Sequence, residues 1–277
     1  MNLPKIPLAE WIEWIEDWLK LNFDPVFKFI KSTIEGMVNG LEFVLLGVPA
    51  LALIVIFAAI AWYLGKWRMG VFTLIGLLII HNLGLWDKTM LTLALVLTAT
   101  IISVVFGVPI GILSARSNRL QKIIQPILDF MQTMPAFVYL LPTVTFFSLG
   151  VVPGVISSII FAIPPTIRLT NLGIRQVPSE LIEAADAFGS TPGQKLFKLQ
   201  LPLAVPTIMA GINQTIMLAL SMVVISSMIG AQGVGADVYR AVTQNKTGVG
   251  FEAGLAIVIL AIILDRLAQN IVKKSNK

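Results

Sequence analysis

The chain has 277 residues, a mass of 30.2 kDa, a mean hydropathy of +0.87 and only 13% charged residues. Soluble domains carry about 25% charged residues, so this composition excludes a soluble globular enzyme, a disordered chain and a secreted disulfide scaffold. The sequence contains no cysteine and a single histidine, which excludes thiolate and multi-histidine metal sites. A net charge of +5 on so apolar a chain indicates the basic loops of a membrane protein, not nucleic-acid binding.

The N-terminal segment, residues 1–42, begins with an amphipathic pattern. Apolar residues recur at helical spacing from Leu8 to Leu19 and include three tryptophans, while acidic residues occupy the opposite side. This pattern predicts a helix lying on the membrane surface, and a helix packed on a partner subunit is the alternative. The segment lacks the basic start and uncharged apolar run of a signal peptide.

Long apolar runs then predict an all-α, polytopic membrane protein with about seven transmembrane helices. The predicted spans are 43–63, 69–85, 89–114, 126–149, 152–168, 203–230 and 251–272. We divide the chain into the interfacial segment 1–42, accessory helices 43–88, a core at 89–272 and a tail at 273–277.

The distribution of Lys and Arg predicts the orientation of these spans. The segments 64–68, 115–124, 168–200 and 265–277 hold 13 of the 20 basic residues, whereas 86–88 and 231–250 hold three. Basic loops stay on the cytoplasmic side. The N-terminus is therefore predicted outside and the C-terminus inside, in the plasma membrane.

The one long cytoplasmic loop, residues 169–202, reads as two short helices joined by an elbow. Ser179 is predicted to cap a helix that ends at Gly189, because glycine adopts a left-handed conformation at little cost. Thr191 before Pro192 predicts the start of a second helix, which we expect Pro202 to close.

This loop resembles the signature of binding-protein-dependent ABC importer permeases. The family pattern is E-A-A, three residues, G, nine residues, I, one residue and L-P. Here Glu183, Ala184, Ala185, Gly189 and Pro202 keep that spacing, with Leu199 in place of the isoleucine. The resemblance implies a MetI-like fold of the type I importers.

The resemblance also implies that the loop docks on a separate ATP-binding subunit, which would hold ATP and Mg. The chain itself has no G-x-x-x-x-G-K-[ST] phosphate loop, so we expect no catalytic residue, metal or cofactor on it. The alternative is a rigid loop whose small residues merely pack.

Three further stretches resemble permeases for glycine betaine and proline betaine. They are 132–142 (QTMPAFVYLLP), 163–170 (IPPTIRLT) and 229–235 (IGAQGVG). The resemblance implies an osmolyte importer subunit in a homodimer, supplied by an extracellular substrate-binding protein. Glycine betaine, proline betaine, carnitine and choline are the implied substrates. The loop 231–250 and the N-terminal helix are candidate contacts for that protein; otherwise 231–250 only caps the pore.

Polar residues and prolines inside two spans mark a candidate translocation path, since buried polar groups in a membrane face cavities or partner helices. Phe137 and Tyr139 are candidate contacts for a quaternary ammonium, which binds aromatic faces; the alternative is that both only pack. Asp129 is expected to pair with Lys122 or Arg119. The full set of candidates is Gln132, Thr133, Pro135, Phe137, Tyr139, Asn213, Gln214 and Ser226.

Three other classes remain open. An ABC permease for another small solute, such as an amino acid, would share the loop signature. An ion-coupled secondary transporter would show inverted repeats and an ionisable pair at the membrane midplane, and we find neither in the sequence. A membrane enzyme would need a cluster of titratable groups at one depth.

Overall fold

The computed structural model describes residues 7–275, and the predictions for residues 1–6 and 276–277 lie outside that range. The described residues form α-helices and contain no β-strand. The helices are α1 Leu8–Gly47, α2 Ala50–Asn82, α3 Trp86–Arg116, α4 Asn118–Thr133, α5 Leu140–Phe147, α6 Val151–Arg175, α7 Ser179–Ala187, α8 Pro192–Lys195, α9 Leu201–Ser227, α10 Val234–Thr243 and α11 Thr247–Ser275. A 3-10 turn, Ala136–Tyr139, precedes α5, and a π-helical stretch, Leu196–Gln200, joins α8 to α9.

Five of the described helices are long and apolar enough to cross a membrane, or six if the bent pair Asn118–Thr133 and Ala136–Phe147 counts as one span. Seven spans were predicted. The difference lies in α2, which counts as one helix but contains most of two predicted spans. It includes 43–63 from Ala50 onward and 69–85 as far as Asn82.

Helix α2 is folded back on itself at Gly65 and Lys66. A Cβ atom built on Gly70 would lie 2.8 Å from the Cβ of Trp62 and 3.2 Å from the carbonyl oxygen of Ala58. In a straight helix, residues eight apart are separated by about 12 Å along the axis. The two arms therefore form a close-packed hairpin, whose turn coincides with the predicted basic loop 64–68.

The core consists of α3, α6 and α9, which meet through small residues. Gly107 and Gly111 on α3 face Thr166 and Thr170 on α6, so these two helices run in the same direction. Gly173 of α6 faces Ala204 and Thr207 of α9, which runs oppositely. Small residues let helix backbones approach closely in membranes.

Helix α1 is longer than the sequence pattern indicated. Residues 24–42, the part of the interfacial segment beyond the amphipathic pattern, are helical, and the one break within α1 is a non-helical Phe23 before Pro25. The part after this break packs on the core, where the ring of Phe27 stacks on Phe146 with centroids 4.6 Å apart. The three tryptophans of the first part are exposed, which fits both a surface helix and a helix packed on a partner subunit.

The predicted span 126–149 is broken at Pro135, which lacks a backbone donor and is preceded by Met134 in the extended conformation that proline favours. Helix α4 ends at Thr133, and the chain turns by 106° before it continues into α5. Pro142 causes no second break, since it lies in the first turn of α5, where no donor is needed.

Candidate functional site

The candidate coupling site is built around α7, a nine-residue helix with no buried residue. Glu183 and Ala184 are exposed and Ala185 is half-buried. The predicted cap at Ser179 is wrong: Ser179 is the first helical residue, Pro178 precedes it, and no side chain caps the helix. The helix therefore presents an open face with small side chains, which permits close approach of another protein.

Gly189 ends α7 in the predicted left-handed conformation, with φ = +72°. The backbone N–H of Ser190 donates to the carbonyl of Ala185 at 3.0 Å, and that of Gly189 donates to Asp186 at 2.9 Å. This pair of hydrogen bonds is the Schellman motif. The elbow is thus fixed by backbone bonds that a positive φ makes possible.

The second arm begins at Thr191, as predicted. The Thr191 hydroxyl accepts from the N–H of Gln194 at 3.3 Å, and the Gln194 side chain accepts from the N–H of Thr191 at 2.9 Å. This reciprocal capping box satisfies two donors at the helix start. A salt bridge of 2.5 Å from Lys195 to Asp186 ties the two arms of the elbow together.

The prediction that Pro202 closes this second helix is wrong. The chain continues from Pro192 to Ser227 as one helical rod of 36 residues. Pro202 removes one backbone donor, and the preceding π-helical turn, in which Leu201 donates to Leu196, absorbs the change. The candidate residue Leu199 is half-buried in this turn, and Leu196 is buried against Ile174 of α6.

The sequence reading missed Phe188, which lies at the C-terminus of α7 and is 91% exposed. Its helical spacing from other apolar residues of the loop predicts burial, not exposure. An exposed aromatic ring at the end of an exposed helix is a candidate anchor for a contact with another protein.

The candidate path residues fall into two groups. Gln132, Thr133, Pro135, Phe137 and Gln214 are exposed on the outside of the single chain. They lie at the bend between α4 and α5 and along α9.

Three other path candidates are engaged within the chain. Tyr139 is buried and its hydroxyl donates to the carbonyl of Met131, which closes the bend. Ser226 is buried and donates to the carbonyl of Gly154 at 3.2 Å, between α9 and α6. Asn213 donates to Asp265 of α11 at 2.5 Å. In this structure Tyr139 and Ser226 serve helix packing.

The expected partner of Asp129 is also corrected. Its carboxylate pairs with Arg168 of α6 at 2.5 Å, not with Lys122 or Arg119. Both basic residues precede Asp129 on α4, whereas Arg168 approaches from the helix packed against it. The pair links α4 to α6 of the core at the predicted cytoplasmic side.

At the opposite end, the loop 231–250 contains the short helix α10. Lys88, at the start of α3, forms a 2.8 Å salt bridge with the nearly buried Asp237 of α10. The N–H of Val234 donates to the hydroxyl of Thr92 at 3.0 Å. Helix α10 is thus fixed to the core, while Tyr239 and Arg240 are exposed.

Residues 107–277 match the family described as binding-protein-dependent transport system inner membrane component. This match covers more than half of the chain and includes the elbow, and the chain belongs to this family of ABC permease subunits. The chain is therefore a multi-pass protein of the cell membrane and a transport subunit.

The full length of the chain is similar to named permeases. It is 59% identical over 277 residues to the glycine betaine transport system permease protein OpuAB of Bacillus subtilis (strain 168), covering 100% of this chain and 98% of the relative. It is 54% identical over 270 residues to the glycine betaine/proline betaine permease ProW of Escherichia coli (strain K12), covering 98% and 76%.

The fold is similar to that of a solved transporter. A chain of the inward-facing MetNI methionine ABC transporter superposes with a TM-score of 0.65 at 22% identity, covering 70% of this chain and 96% of that chain. This similarity shows the MetI-like fold alone.

Proposed function

We propose that the chain imports quaternary-ammonium osmolytes, with glycine betaine as the principal substrate. The permeases with 53–59% identity over nearly the whole chain are named for glycine betaine, alone or with carnitine or proline betaine. The chain is also 33% identical to a permease of Ruegeria pomeroyi that is named for trimethylamine N-oxide, another trimethylated solute. The methionine transporter shares only the fold, which gives little support to an amino-acid substrate.

The observation that carries the transport mechanism is the rigid, exposed elbow. Helix α7 has no buried residue, and Gly189 joins it to the continuous rod 192–227. A partner ATPase that holds ATP and Mg would bind α7 in a groove, in the helix-in-groove mode. Closure of two ATPases would move α7, and the rod would carry that movement into the membrane.

Phe188 is the proposed anchor of this contact. Interface anchors are aromatic residues that fill a pocket, and their truncation costs about 2 kcal/mol or more, or about 30-fold in affinity. We expect Phe188→Ala to lower the affinity for the co-expressed ATPase by about this factor. Phe251→Ala is the matched control. Phe251 is also an exposed aromatic residue, but it lies at the start of α11, away from α7. Equal binding by both variants would refute the anchor.

A second copy of the chain would complete the path. The exposed candidates Gln132, Thr133 and Gln214 lie on the outside of one chain, and a solute path needs walls on all sides. A homodimer that apposes these surfaces would enclose them. An extracellular binding protein would deliver the solute at the opposite end from the elbow, where α10 presents Tyr239 and Arg240.

Uptake by reconstituted vesicles tests the function. Vesicles would contain the chain and its ATPase, hold ATP inside, and receive labelled glycine betaine with the binding protein. We expect uptake that requires both ATP and the binding protein. Binding of the ATPase without betaine uptake would retain the coupling role and refute the substrate. Uptake driven by a sodium or proton gradient without ATP would refute the coupling role.

A further inference from the structure

The turn of the α2 hairpin carries exposed aromatic and basic side chains that the transport scheme does not use. Lys66, Trp67 and Arg68 are exposed in the turn, and Trp62 and Tyr63 are exposed on the arm that leads into it. The guanidinium of Arg68 lies 5.8 Å from the centre of the Trp67 ring. Tryptophan and tyrosine beside basic residues are typical of the membrane–water interface. The turn is therefore expected at the depth of the lipid headgroups.

The charge around this turn has one sign. No acidic residue occurs between Glu42 and Asp87. Among residues 7–271, whose side chains the structure describes, neither Lys66 nor Arg68 forms an ion pair. These two cations, expected at the headgroup level, therefore have no acidic partner within that range.

The end of α11 adds further basic residues beside the turn. A Cβ built on Gly65 would lie 2.6 Å from the Nδ2 atom of Asn270, so α11 packs directly against the hairpin turn. Arg266 is exposed one turn before Asn270, and α11 carries Lys273 and Lys274 in the turn after it. The adjacent Asp265 accepts hydrogen bonds from Asn213 and Gln269, and its other carboxylate oxygen lies 3.8 Å from Nε of Arg266, whose side chain stays 59% exposed. Five basic residues therefore belong to one end of these two elements.

We propose that the hairpin turn 62–68 and the end of α11 bind the headgroup of an anionic phospholipid. The basic side chains favour a phospholipid whose headgroup carries a net negative charge. The exposed rings would lie along the glycerol and upper acyl region of that lipid. Clusters of Lys and Arg next to a membrane span bind acidic lipids, each residue contributing about fivefold in affinity. The proposal does not depend on the substrate or on the ATPase contact.

The test is native mass spectrometry of the full-length chain released from micelles with equal amounts of phosphatidylglycerol and phosphatidylcholine. We expect the chain to retain phosphatidylglycerol preferentially. The double variant K66Q/R68Q should lower the apparent affinity for it about 25-fold, from about fivefold for each charge. Added salt should shrink the difference, since salt screens exposed charges. Inorganic phosphate should not compete, which distinguishes a lipid site from a site for free phosphate.

The matched control is R240Q/K246Q, which removes two exposed basic residues at the opposite end of the chain. Its affinity for phosphatidylglycerol should stay within about twofold of that of the original chain. Both residues lie far from the proposed site, so the loss should be smaller than the fivefold expected for one charge at the site. The proposal would be overturned if K66Q/R68Q retained as much phosphatidylglycerol as the original chain, or if the control lost as much of it as K66Q/R68Q. It would also be overturned if the original chain retained phosphatidylcholine as well as phosphatidylglycerol. If K66Q/R68Q retained phosphatidylglycerol normally but lost the co-purified ATPase, the proposal would also be overturned, and the turn would be assigned to a protein contact. If K66Q/R68Q does not fold, Arg266→Gln on the neighbouring helix should still show about a fivefold loss.

Discussion

Replacement of Gly189 tests the coupling elbow directly, because the structure isolates one physical term at this position. A Cβ atom added to Gly189 would meet nothing within 4 Å, so a substitution causes no clash. Its φ of +72° costs an ordinary L-residue about 1–2 kcal/mol. The equilibrium constant between the native elbow and its other conformations should fall by about 5- to 30-fold in Gly189→Ala, and further in the β-branched Gly189→Val.

Gly193→Ala is the matched control, four residues further along. A Cβ there also meets nothing within 4 Å, but Gly193 has helical φ, so alanine is favoured by up to about 1 kcal/mol. The assay is the affinity of the ATPase for the reconstituted permease, followed by ATP-driven uptake. We expect normal membrane insertion of all variants and weakened ATPase binding in Gly189→Ala. The ATPase affinity of Gly189→Asn should lie between those of Gly189→Ala and the original chain, because asparagine tolerates this conformation. Full affinity and uptake in Gly189→Val would refute the elbow argument.

Two other substitutions test the core and the path. Gly111→Ala would place a Cβ 2.6 Å from the Cβ of Thr170, so we expect a lower melting temperature from a loss of about 1–3 kcal/mol. Gly254→Ala in α11, with nothing within 4 Å, should not lower the melting temperature, because alanine is favoured over glycine in a helix. A melting temperature of Gly111→Ala equal to that of the original chain would contradict the close packing of α3 and α6. Phe137→Ala should slow betaine uptake by about 2- to 5-fold through loss of a cation–π contact, while Leu141→Ala, a neighbouring exposed apolar residue, should not. Unchanged uptake kinetics in Phe137→Ala would show that this ring only packs.

The parts of the fold that follow from local chemistry were predictable. Gly189, Thr191 and Pro135 each act through their own backbone conformation or the next few residues, and the structure confirms an elbow, a cap and a break there. Apart from the Ser179 cap, which fails because Pro178 precedes a helix that already includes Ser179, the wrong predictions involve the surroundings of a residue. Pro202 continues a helix because a π-helical turn absorbs it, and Asp129 pairs with Arg168 because α6 packs against α4.

Burial was the least predictable property of the candidate path. Ser226 and Gln214 belong to the same helix and are both polar, yet Ser226 is buried against Gly154 and Gln214 is exposed. Membrane helices place small hydroxyls both between helices and along cavities, so composition alone does not separate the two roles. The exposure of Phe188 was equally hidden, since an apolar residue at helical spacing is usually buried.

The continuity of α8 and α9 has a mechanical consequence for the proposed coupling. A rod of 36 residues is about 54 Å long, and a tilt of about 10° at its elbow would displace its far end by about 9 Å. Two features hold the elbow end: the salt bridge from Lys195 to Asp186 on α7, and the packing of Leu196 on α6. A force on α7 therefore reaches the rod through a short charged contact and turns it about a buried leucine. This geometry allows a small movement of an ATPase at α7 to become a large movement at the other side of the membrane.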